Sequence, residues 1–199
     1  NAATFGAFMH QGQICMSVER VIVHKDVANE FTEKFVANAK KLKVGNPREM
    51  ANCIGPIINQ KQLDKIRDQV DDAVAKGAKV LCGGKHKGLF FEPTVLSNIT
   101  RDMKVMREET FGPIAPVITV GSVDEAIEIA NDSEYGLSAG IMTRNEERGL
   151  SVARRLNTGM AHINDSSVND EPHVPYGGVR SSGLGRHGGR AGIDQFTET

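Results

Sequence analysis

Apolar residues fall into two rhythms along the chain, and they alternate. The run Val18-Glu19-Arg20-Val21-Ile22-Val23 is short and β-rich, which predicts a strand. Val27, Phe31, Phe35, Ala39 and Leu42 then recur at helical spacing, with Asp26 placed to cap the helix and Gly45-Asn46-Pro47 to stop it. Leu63, Ile66, Val70, Ala73 and Val74 predict a second helix, ended by Gly77. Lys79 to Cys82 reads as a short strand closed by Gly83-Gly84. Phe90 to Leu96 reads as another, and Pro93 inside it predicts an edge or a bulge. Pro116 to Val120 is strand-like, and Ser122-Val123-Asp124-Glu125 spells a capping box for a helix through Asn131. Ser138 to Thr143 predicts a strand. A helix carrying Leu150, Ala153 and Leu156 follows and stops before Gly159, and Met160 to Asn164 predicts the last strand.

Strands alternating with helices predict the α/β class, with a largely parallel open sheet and flanking helices. No internal repeat or low-complexity linker interrupts the chain. The last 25 residues are rich in Gly and read as an ordered loop followed by a weak helix. A length of 199 residues is enough for one sizeable domain or two small ones. With 39% hydrophobic and 25% charged residues the chain is expected to fold rather than stay disordered. A net charge of -1, with both signs mixed along the chain, shows no basic stripe for nucleic acid. No apolar run approaches the roughly 20 residues of a membrane span. Three cysteines without a CxxC pair argue against a disulfide framework and a structural zinc site, and six scattered histidines contain no HExxH, so no metal is expected. A reducing, cytoplasmic setting follows. The chain opens at Asn1 without an initiator Met and reaches its first motif almost at once, so it reads as a piece of a longer protein.

That motif is Gln11-Gly12-Gln13-Ile14-Cys15-Met16-Ser17. Cysteine is the strongest side-chain nucleophile near neutral pH, because a few per cent is already thiolate. The glycine and two glutamines before it suggest a tight loop presenting the thiol. The alternative is a buried structural cysteine, the reading that also suits Cys53 and Cys82. Gly183-Leu184-Gly185-Arg186-His187-Gly188 spells GxGxxG but follows no strand and opens no βαβ unit, so it is not a dinucleotide fingerprint. A Cys-His hydrolase would need His10 or His173 to reach the thiol.

The Gly-Gln-x-Cys loop, followed within ten residues by a strand, resembles the nucleophile loop of aldehyde dehydrogenases. Glu108-Glu109-Thr110-Phe111-Gly112-Pro113 resembles that family's cofactor motif. Asn131 through Gly136-Leu137-Ser138-Ala139 is similar to its Asn-x-x-x-Tyr-Gly-Leu-x-Ala segment. Pro175-Tyr176-Gly177-Gly178-Val179-Arg180-Ser181-Ser182-Gly183 is similar to its glycine-rich loop. The four stretches stand in the family's order across nearly the whole chain. The resemblance implies that residues 1–199 form the nucleophile-bearing catalytic domain. It further implies that Cys15 attacks an aldehyde to give a thiohemiacetal, then a thioester that is hydrolysed, with the Cys15 N–H as an oxyanion donor. Glu109 would accept hydrogen bonds from the nicotinamide ribose and Phe111 would pack beside the nicotinamide of NAD or NADP. Gln62 and Lys65 match positions near the cofactor, although a plain exposed helix face would look the same. His10 stands where the family usually has Asn, so it is expected to shape the loop rather than act as the base.

The family's general-base glutamate belongs to a Glu-Leu-Gly-Gly stretch that these residues do not contain, and its cofactor-binding domain lies upstream as well. The segment alone is therefore expected to be inactive. His10, Gly185-Arg186-His187 and Asn164 through His173 are similar to the branch acting on aromatic aldehydes such as benzaldehyde, salicylaldehyde or vanillin. Val168, Asn169 and Tyr176 would then line the substrate entrance, and the parent would be a homodimer or homotetramer. Two other readings stay open: a CoA-acylating or phosphorylating relative, and a non-catalytic member that uses the fold for binding or structure.

Overall fold

The computed structural model describes residues 1–198, and these divide into two compact units, Asn1–Ala126 and from Ile127 onward. The first unit opens with α1 (Ala2–Phe8) and a short 3₁₀ turn over Met9–Gly12, then β1 (Val21–His24) and α2 (Lys25–Ala39). Next come α3 (Gln60–Ala75), β2 (Lys79–Cys82), β3 (His86–Lys87), β4 (Phe90–Phe91) and β5 (Thr94–Ser97). It finishes with α4 (Lys104–Arg107) and β6 (Ile114–Val120). The helix α5 (Val123–Asn131) runs across the unit boundary.

The main sheet has the order β1-β6-β5-β2. β6 pairs in parallel with both β1 and β5, and only β2 joins antiparallel, so the sheet is open and largely parallel as expected. Burial along β6 is nearly continuous, which is what a strand covered on both faces requires. Val95, Ala115 and Val117 share one apolar cluster with Ala28, Phe35 and Ala39 of α2 and with Ala7 and Phe8 of α1. Phe35 stacks between Phe8 and Phe31, at centroid distances of 5.8 and 5.6 Å. Leu96, Ile114 and Ile118 alternate with that set and are also buried. On α3, Leu63, Ile66, Val70 and Ala73 form the buried stripe. Each large side chain taken out of water here contributes about 1.5–3 kcal/mol.

Several boundaries differ from the expectation, each for a local reason. His24, not Asp26, caps α2: its ring accepts from the Asp26 N–H at 3.3 Å. Val27 is 54% exposed, because the buried stripe through Phe35 and Ala39 begins at Ala28 instead. Val74 likewise stands beside its stripe and is exposed. Pro93 splits the predicted strand Phe90 to Leu96 into β4, which forms a hairpin with β3, and β5, which lies inside the sheet rather than at its edge. Pro116 is tolerated in an inner strand because pairing changes partner there: residues 114–116 of β6 face β5, and 117–120 face β1. Val18 to Arg20 stay outside β1, and what Glu19 does instead matters below.

The second unit contains β7 (Ser138–Ile141), α6 (Glu146–Ala153), β8 (Met160–Ile163), a 3₁₀ turn over Arg180–Ser182 and α7 (Gly189–Asp194). β7 and β8 pair in parallel, and α6, capped by Asn145, connects them. The weak terminal helix expected after the glycine-rich loop is α7. Among the described residues no helix is long and apolar enough to cross a membrane.

Candidate active site

Cys15 is exposed and sits at the second position of a turn closed by the Ser17 N–H donating to Ile14 O at 2.9 Å. The structural-cysteine alternative required a buried sulfur, which this is not. The loop leading to it is unusual in its backbone. His10, Gln11 and Gly12 follow one another at φ of 48°, 59° and 68°, a left-handed conformation that only Gly adopts without cost. Such a run persists only when its surroundings hold it. The Gln11 amide donates to His10 O at 3.1 Å and accepts from the Gly55 N–H at 2.8 Å. Gln13 accepts from the Ile58 N–H at 2.9 Å and donates to Pro56 O at 3.4 Å. The two glutamines that sequence alone could only associate with a tight loop thus staple it to residues 55–58. The Val18 N–H, donating to Gly6 O at 3.0 Å, anchors the exit on α1.

Gly12 joins this loop to the next motif. A Cβ there would overlap the Gly112 carbonyl and come within 3.2 Å of Ala7 O. The backbone before the thiol therefore lies directly against the Glu109–Gly112 turn. That turn is itself gripped from two sides. The Thr110 and Phe111 N–H groups both donate to Glu19 Oε1, at 2.8 and 3.0 Å. Their carbonyls both accept from Gln62 Nε2, at 2.7 and 2.9 Å. Phe111 is held at φ 47° and its residue is half-buried. Burial pushes the Glu109 carboxyl up, and Lys65 pulls it back. A half-buried carboxylate two residues from a half-buried aromatic side chain has the chemistry to accept from two hydroxyl donors and to pack on the flat face of a heterocycle, as the ribose and nicotinamide of a dinucleotide offer. Gln62 is bound to the turn and is not a plain solvated face. Glu19 was not anticipated at all, since a single acid in a strand-like run usually points to solvent.

A cavity of about 650 Å³ borders the loop, lined by Phe5, Phe8, Met9, His10, Gln11 and Cys53 among others. Cys15 is not among its lining residues.

Val168, Asn169 and Tyr176 belong to the second unit. Val168 and Asn169 are partly exposed on a loop whose Ser166 and Ser167 are buried; Asn169 donates to Asp165, and the Val168 N–H donates to Ser166 Oγ at 3.3 Å. Tyr176 bridges His187 through two backbone hydrogen bonds of 2.8 and 2.7 Å. The two motifs of this unit also meet. Gly136 O accepts from the Gly159 and Val179 N–H groups at 3.0 and 2.9 Å, and the Gly136 N–H donates to Ser182 Oγ at 3.0 Å. Gly183 to Gly188 lies between the Arg180–Ser182 turn and α7, with no strand leading into it, as a rejected dinucleotide loop should.

The model of the aldehyde dehydrogenase family matches residues 1–199. A benzaldehyde dehydrogenase of Pseudomonas putida is 47% identical over all of this chain and 41% of its own length. A vanillin dehydrogenase of Pseudomonas fluorescens is 43% identical over 99% of the chain and 41% of its own. A salicylaldehyde dehydrogenase from Pseudomonas putida, solved with salicylaldehyde, superposes with a TM-score of 0.96 at 46% identity, covering 99% of this chain and 41% of that one. A glyceraldehyde-3-phosphate dehydrogenase from Methanocaldococcus jannaschii, solved with NADP, gives 0.95 at 38% identity over 100% and 43%. The chain thus spans about two fifths of the length of the relatives it matches.

Proposed function

The chain belongs to the aldehyde dehydrogenase family, and from that premise we propose that it carries the nucleophile of an enzyme oxidising an aromatic aldehyde to its acid with NAD or NADP. One observation supports this above the rest: an exposed thiol stands on a strained loop packed backbone to backbone against Gly112 at the end of the Glu109–Gly112 turn. Cys15 attacks the carbonyl carbon, forming the carbon–sulfur bond of a thiohemiacetal. The nicotinamide, when bound, supplies the hydride acceptor. Cys15 then holds the acyl group as a thioester, which water cleaves to the acid. Glu109 would accept hydrogen bonds from the nicotinamide ribose hydroxyls and Phe111 would pack beside the nicotinamide ring. The base that activates water is assigned to the glutamate of the family's Glu-Leu-Gly-Gly stretch, outside these residues, so the segment assayed alone is expected to show no NAD(P)-dependent turnover.

Val168, Asn169 and Tyr176 are assigned to the substrate entrance, and the naming of relatives for benzaldehyde, salicylaldehyde and vanillin supports an aromatic substrate. The experiment is made on the complete protein that carries this sequence. Iodoacetamide is expected to label Cys15 before Cys53 and Cys82 and to abolish aldehyde-dependent NAD(P)H formation. Labelling without loss of activity would end the assignment. Benzaldehyde is expected to outperform acetaldehyde in kcat/KM, and the reverse order would remove the aromatic part alone. Acyl transfer to CoA or phosphate in place of hydrolysis would identify the acylating alternative.

A further inference from the structure

Glu19 is a carboxylate with no part in the chemistry above, yet its Oε1 accepts from two consecutive backbone N–H groups 91 and 92 residues away. The cost of taking a charged group out of water is tolerated where hydrogen bonds replace the lost hydration. Those two groups, Thr110 and Phe111, form the turn that presents Glu109 and the Phe111 ring. Phe111 has the left-handed backbone that a side-chain-bearing residue adopts only when held. Gln62 satisfies the carbonyls of the same two residues, so Glu19 and Gln62 together grip both edges of the turn. Glu19 also lies four positions after Cys15, next to the Val18 anchor on Gly6. One short segment therefore carries both the thiol and the grip.

We infer that Glu19 is a positioning residue that fixes Glu109 and Phe111 for the nicotinamide ribose and ties their turn to the segment bearing Cys15. This rests on the function proposed above. Burial pushes the Glu19 carboxyl up to about 7, against the pull of the two N–H groups and of Lys65 on α3, while Glu109 adds to the rise. A side chain kept inside at that expense is kept for its geometry.

The complete protein serves for the test, as wild type, Glu19→Ala and Glu19→Gln. Glu19→Ala is expected to raise the KM for NAD(P) about tenfold, while iodoacetamide labels Cys15 without cofactor at a rate within about twofold of wild type. Glu19→Gln keeps an oxygen facing the same two N–H groups and is expected to return the cofactor KM to within about threefold. If Glu19→Ala does not fold, Glu19→Asp replaces it; its retracted carboxylate is expected to raise the cofactor KM at least about threefold. An unchanged cofactor KM in the variant used, Cys15 labelling that slows in step with it, or a Gln variant as damaged as the Ala variant would each overturn the positioning role. Absence of NAD(P)-dependent aldehyde oxidation in wild type would overturn the enzyme assignment and this inference together. Wild-type turnover with an unaffected Glu19→Ala cofactor KM overturns this inference alone.

Discussion

In the first unit the Glu109–Phe111 turn is held by side chains reaching out of a packed core, whereas in the second the Pro175–Gly183 loop adds backbone packed closely on backbone to side-chain bonds from Arg180, Ser182 and Arg186. Glu19 and Gln62 supply four hydrogen bonds to the first turn. In the second, Gly136 O gathers two N–H groups, and a Cβ on Gly159 would overlap the Gly177 carbonyl. Their interiors differ in the same sense. Among the described residues, the buried hydrophobic ones past Ala126 are Ile127 and Ile129, while buried Ser166 and Ser167 pack against Ser138 and Gly140 of β7. A core gives long side chains a fixed base from which to position a distant turn. Where apolar packing is thin, the chain comes closer to itself, and glycine is what permits it. The first unit should therefore answer to side-chain chemistry and pH, and the second to added bulk.

The sharpest way to break this contrast is at the thiol. Cys15→Ser in the complete protein is expected to lower kcat by at least about 10³-fold with little change in melting temperature, since an exposed side chain carries chemistry and not packing. A loss below tenfold would leave the first unit without its catalytic role. Gly12→Ala tests a place where the first unit also relies on backbone contact. The added methyl overlaps the Gly112 carbonyl at a φ of +68°, so loop and turn must part. The expected cost in kcat/KM is about 100-fold, the penalty of displacing a reacting group by about 1 Å.

Much of this was legible in the chain, and the reasons for the rest are physical. Periodicity found α3 and the parallel alternation, because a stripe such as Leu63, Ile66, Val70 and Ala73 is a local property. The four motifs were readable one by one, yet their meeting in pairs was not: Gly12 against Gly112, and Gly136 beside Val179, are contacts between distant residues. Pro93 signalled a break correctly but its strand lay inside the sheet, since strand order depends on crossovers that no window of sequence contains. Helix α4 escaped notice because four residues show no period. Glu19 looked like any solvated acid, and only the fold reveals that its carboxylate turns inward.

Gly159→Ala probes the second unit on its own terms. Its Cβ would strike the Gly177 carbonyl and press on Gly178, both backbone and unable to swing aside. Destabilisation of about 2–3 kcal/mol is expected, read as a lower midpoint in urea, with Cys15 labelling unaffected. A neutral result would mean that the loop is not held by this contact and that the contrast between the units is false.

The smallest expected effect carries the most information, because its sign depends on pH. Glu19 holds its proton up to about 7 in the folded protein, from an ordinary value of 4.5, chiefly through burial. Below pH 4.5 both folded and unfolded chains are protonated there, so the group is neutral in the balance. Between 4.5 and 7 the unfolded chain has ionised and the folded one has not, so unfolding releases a proton and stability falls as pH rises. Above 7 both are ionised and the full penalty of a buried charge remains. Glu19→Gln removes that penalty while keeping an acceptor for Thr110 and Phe111. The variant is therefore expected to be the more stable protein at pH 8, by about 1–3 kcal/mol, with the gap closing towards pH 4.5. Urea melts of both proteins across that range would decide it. A difference that stays flat with pH would show the carboxylate to be solvated, and one that grows as pH falls would show it held ionised by the two N–H groups; either would overturn the burial penalty.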